Sequence, residues 1–104
     1  MSKNISARER IMDISLNLAR IGNWTADSYD EKKNLINRFI LQTDEYIDEI
    51  SGNILNKELN SIFQKFIAEF EKLKRESVNR SNKEEWAERA LTWANILQHR
   101  AKLA

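Results

Sequence analysis

Apolar residues recur along this chain every three or four positions in four successive stretches, and each stretch reads as one amphipathic helix. In the first, Ile11, Ile14, Leu18 and Ile21 make the stripe, widened by Met12 and Ala19. This helix is predicted to run over 6–21 and to stop at Gly22, the residue type best able to take the left-handed conformation of a helix end. A second is predicted to open at Ser28, which has capping-box spacing to Glu31. Its stripe is Leu35, Ile36, Phe39, Ile40, Tyr46, Ile47 and Ile50, closed by Gly52. Thr43 falls within that stripe, where its hydroxyl is expected to bond back to a carbonyl one turn earlier.

The third helix is predicted to begin near Asn53 or Asn56, both suited to capping. Leu59, Ile62, Phe63, Phe66, Phe70 and Leu73 form the most regular stripe of the chain, which fades by Ser77 and Val78. The polar run from Asn79 to Asn82 holds neither Gly nor Pro, but Ser81 and Glu84 again have capping-box spacing and favour a new helix. Trp86, Ala90, Trp93, Ala94, Leu97 and Ala101 line this fourth one. Its alanines are expected to admit a neighbour closely, with the two indoles filling the space beside them.

Short connections make successive helices antiparallel, so the predicted fold is all-α, an up-down-up-down four-helix bundle in one domain over 1–104. The alternative is a three-helix unit with helices three and four partly fused, its core completed by dimerisation. Composition supports long helices: the 104 residues include two Gly, no Pro and no Cys. Without Cys there are no disulfides, thiolate metal sites or thiol nucleophiles. No run approaches the roughly 18 apolar residues of a membrane span, and Glu9, Asp13 and Arg20 interrupt any secretory leader, which points to the cytoplasm.

Catalytic chemistry has little to work with, so no enzymatic activity, cofactor or metal is expected. The single His99 projects away from its helix's apolar stripe and has no evident helper. A di-iron bundle needs inward Glu-x-x-His pairs, yet Ile96 stands three residues before His99. Two isolated glycines cannot build a phosphate-binding loop.

What remains is surface. The net charge of +1 hides two clusters: Asp44, Glu45, Asp48 and Glu49 late in the second helix, and Lys72, Lys74, Arg75, Arg80 and Lys83 around the third connection. The acidic cluster opposes the helix dipole, whose C-terminal end favours cations, and so suggests a docking patch. Leu16, Leu41 and Ile96 fall outside their stripes, and Trp24 lies in the first connection as an end cover or as an anchor for a partner. These features favour a small non-enzymatic interaction or regulatory protein. It would act on a protein partner or a second copy through Leu16, Leu41, Asp44, Asp48, Ile96 and Trp24. The competing expectation is RNA or ribosome association through Lys72, Lys74, Arg75, Arg80 and Lys83. No aromatic residues interleave with those cations as a stacking platform requires, and an up-down topology sets them near Asp27, Asp30 and Glu31.

Overall fold

A computed structural model describes residues 6–50 and 55–103. They form three helices: α1 over Ala7–Ile50, α2 over Lys57–Arg75 and α3 over Lys83–Leu103. The four separate helices expected from the spacing are therefore replaced by three. The number matches the alternative reading, but the continuity lies between the first two stretches; the third and fourth are separated at 76–82.

A straight helix of 44 residues would be about 66 Å long, whereas the longest dimension of the molecule is 40 Å. The difference is taken up at Ser28, whose backbone (φ −147°, ψ 43°) leaves the helical region. There α1 turns back, and residues 7–27 and 29–50 become two arms lying side by side. Asn17 on the first arm donates to Gln42 Oε1 at 3.1 Å and to Thr43 Oγ1 at 3.3 Å on the second. Thr43 in turn donates to the Phe39 carbonyl at 2.8 Å, the back-bond expected of it. Buried polar side chains thus meet each other across the arms, which removes most of the cost of enclosing them.

Gly22 does not end a helix. It sits buried within the first arm, and its backbone is helical rather than left-handed. A Cβ there would stand 2.6 Å from Leu91 Cγ and 3.1 Å from the Ala87 carbonyl oxygen of α3. The glycine is needed for close approach between helices, at a helix-propensity cost of about 1 kcal/mol. Ala90, Ala94 and Ala101 are buried on α3 as the alanine stripe implied, Ala87 is buried beside them, and Ser15 donates to the Ala94 carbonyl at 2.7 Å. Gly52 and Asn53, expected as a stop and a cap, lie outside the described residues.

The termini of α2 and α3 are set by asparagines. Asn56 caps α2, its side chain accepting from the Leu59 amide at 2.7 Å. Before α3, the Asn79 side chain accepts from the Ser81 and Asn82 amides at 2.9 and 3.1 Å, and Asn82 Oδ1 accepts from the Asn79 amide at 2.7 Å. The Ser81 hydroxyl donates to Asn79 Oδ1 at 2.6 Å rather than accepting at a helix start, so the predicted Ser81 capping box does not form. Trp86 Nε1 donates to the Leu73 carbonyl at 3.0 Å and satisfies one of the acceptors that the last turn of α2 leaves open.

Two apolar clusters fill the interior. Ile11, Ile14, Leu18, Phe63, Phe66 and Leu97 lie at the centre of the larger. Ile21, Ile36, Leu73, Trp86 and Ala90 form the smaller, nearer the Ser28 bend. Both arms of α1 contribute to each cluster.

Candidate functional site

The candidate surface residues end up in unequal surroundings. Leu41 is 64% exposed on the second arm and Leu16 is 53% exposed on the first. Ile96 is half-buried on α3, so it is not an exposed apolar residue. Trp24 belongs to the first arm rather than to a connection, is half-buried, and tilts against Phe39 with ring centroids 5.5 Å apart. That contact places it beside the smaller cluster.

Leu41 borders a groove of about 470 Å³ between the second arm and the end of α2. Ile36, Ile40, Leu73, Val78 and Trp86 supply its apolar lining. On one edge Lys74 Nζ bonds Asp44 at 2.7 Å and Glu71 at 2.8 Å. Partial burial alone would lower the Lys74 pKa, but the two carboxylates outweigh it and hold the ammonium above its ordinary value. Asp44 is thus engaged within the fold, whereas Asp48 is exposed.

The basic candidates are not brought to one face. Lys72 pairs with Glu69 at 3.4 Å, Lys74 lines the groove beside Asp44, and Arg75 is exposed. Arg80 and Lys83 line a separate cleft of about 430 Å³ with Asp27, Asp30 and Glu31, the carboxylates that an up-down topology set near them. Acidic neighbours of this kind lower the positive potential a polyanion would meet. At the other end of the molecule the acidic cluster meets Arg10, whose Nε lies 2.6 Å from Glu49 Oε2 and whose guanidinium covers the Tyr46 ring at 4.2 Å.

The face around Leu41 carries exposed charges of both signs. At about 100° per residue, Arg38, Glu45 and Asp48 project within about 60° of Leu41, and Lys33 within about 80°. All four are exposed, and none makes an ion pair among the described residues. Lys33 and Arg38 were missed from sequence because charges were grouped by nearness along the chain; grouping them by helical face would have found them.

Among the described residues there is no group of three or more His, Cys, Asp or Glu side chains placed to hold a metal, and His99 is exposed. Among the described residues no helix is long and apolar enough to cross a membrane. No protein-family model matches the chain, and no match was found among curated proteins or solved structures.

Proposed function

We propose that this chain is a small non-enzymatic interaction or regulatory module, working in the cytoplasm through the solvent face of the second arm of α1. The observation that carries the reading is Leu41. It is a large apolar side chain, 64% exposed, at the edge of a groove lined by both apolar and polar side chains and ringed by charges that make no ion pair among the described residues. An exposed apolar residue alone is ordinary. One that borders a groove and has a charged rim matches the anatomy of a protein interface, with its apolar centre and polar border.

Leu41→Glu is expected to change folding stability by less than about 0.5 kcal/mol, since the side chain is mostly in water. The same change is expected to reduce capture of the protein partner from native cells by about tenfold or more. The capture should persist at the higher of two salt concentrations and survive nuclease treatment. RNA or ribosome association through Lys72, Lys74, Arg75, Arg80 and Lys83 predicts the reverse pattern. Binding would then fall steeply with salt, Lys72→Ala and Arg75→Ala would flatten that slope, and Leu41→Glu would have no effect. Such a result would replace the proposed reading with its competitor.

A further inference from the structure

Four exposed charges on the second arm are arranged so that this part of the face complements itself when reversed. Lys33 and Arg38 precede Leu41, while Glu45 and Asp48 follow it. Taking about 1.5 Å of rise per residue, Arg38 lies about 4.5 Å before Leu41 and Glu45 about 6 Å after it. Lys33 lies about 12 Å before and Asp48 about 10.5 Å after. A two-fold axis beside Leu41 that sets one arm antiparallel to its copy therefore brings Arg38 level with the copy's Glu45. It brings Lys33 level with the copy's Asp48, and the two leucines meet at the centre. The handedness agrees as well. Arg38 and Glu45 flank Leu41 on one side of the face and Lys33 and Asp48 on the other, and a two-fold of this kind preserves sides.

We infer that the occupant of this surface is a second copy of the chain, bound antiparallel through the second arm with Leu41 at the two-fold axis. This rests on the reading of the face as an interaction surface and names its partner. Contact through one helix face per chain belongs to the smaller class of interfaces, below about 1,200 Å², so the association is weak and concentration-dependent.

The test is sedimentation of the full chain across a concentration series reaching about 1 mM, for wild type, R38E, E45R and an equimolar mixture of the two variants. Wild type is expected to move from the 12.3 kDa of one chain to twice that mass. Each variant alone places like charges against each other twice, because the contact is symmetric, and should weaken the dimer by about tenfold or more. In the mixture each reversed charge meets the reversed charge of the other variant, so the doubled mass returns. Helical circular dichroism identical to wild type shows that both variants are folded. A wild type that keeps the mass of one chain over the whole series overturns the inference. So does a mixture that sediments no faster than its separate components. Either failure concerns self-pairing alone, because the capture experiment with Leu41→Glu judges the interaction reading independently.

Discussion

Phe66→Ala is expected to be among the most damaging single substitutions, removing about 3–5 kcal/mol of folding stability. The side chain is fully buried. Its ring lies 5.9 Å from Phe63, 5.5 Å from Phe70 and 5.8 Å from Trp93, centroid to centroid, so its loss unseats three aromatic neighbours across α2 and α3. A chain of this length has total stability of about 5–15 kcal/mol, and the variant should unfold at a much lower urea concentration than wild type. A midpoint within experimental error of wild type would mean that α2 does not pack where the larger cluster places it.

Gly22→Val carries the second large effect and addresses the contact least expected from sequence. The new side chain gains helix propensity over glycine but meets Leu91 and the Ala87 carbonyl, where there is no room even for a Cβ. Overpacking of this kind costs about 1–3 kcal/mol, and the second methyl group places the expected loss toward the upper end. Adding Leu91→Ala removes the nearest obstruction and should return about 1 kcal/mol relative to the sum of the single effects. Urea unfolding of the four proteins in this double-mutant cycle gives the coupling directly. Additive losses would show that α3 does not pass over Gly22.

The helical stretches were legible because apolar spacing directly reports the face each segment buries, and Phe63, Phe66, Phe70 and Leu97 are all in the core as that spacing requires. The corners were less legible. Glycine suits both a left-handed stop and a crowded crossing, and only the position of α3 over Gly22 decides between them. Ser28 has the spacing of a helix start; the backbone does break there, but the helix resumes at once, so one bent element replaces two. At the third corner Asn79 and Asn82 bond to each other and take the capping positions for which Ser81 had the right spacing. These choices depend on which of several competent polar side chains reaches an amide first, and spacing alone does not rank them.

The surface was legible in part. Leu41 stood out because it fell outside its stripe, and the structure keeps it in water. Ile96 had the same signature but is half-buried. Asp44 was grouped with Asp48 by sequence, yet Lys74 of α2 engages it and leaves Asp48 to the solvent. Long-range pairing of this kind depends on how α2 docks against the second arm, which helical periodicity does not report.

On the proposed reading, the face around Leu41, and not the basic third connection, is where this chain meets a protein. Backbone amide shifts of isotope-labelled protein, followed from dilute to concentrated solution, test it most directly. Concentration-dependent changes are expected to be confined to the solvent face of the second arm, largest at Asn37, Arg38, Leu41 and Glu45. Changes centred on residues 72–83, with those four amides unmoved, would contradict it.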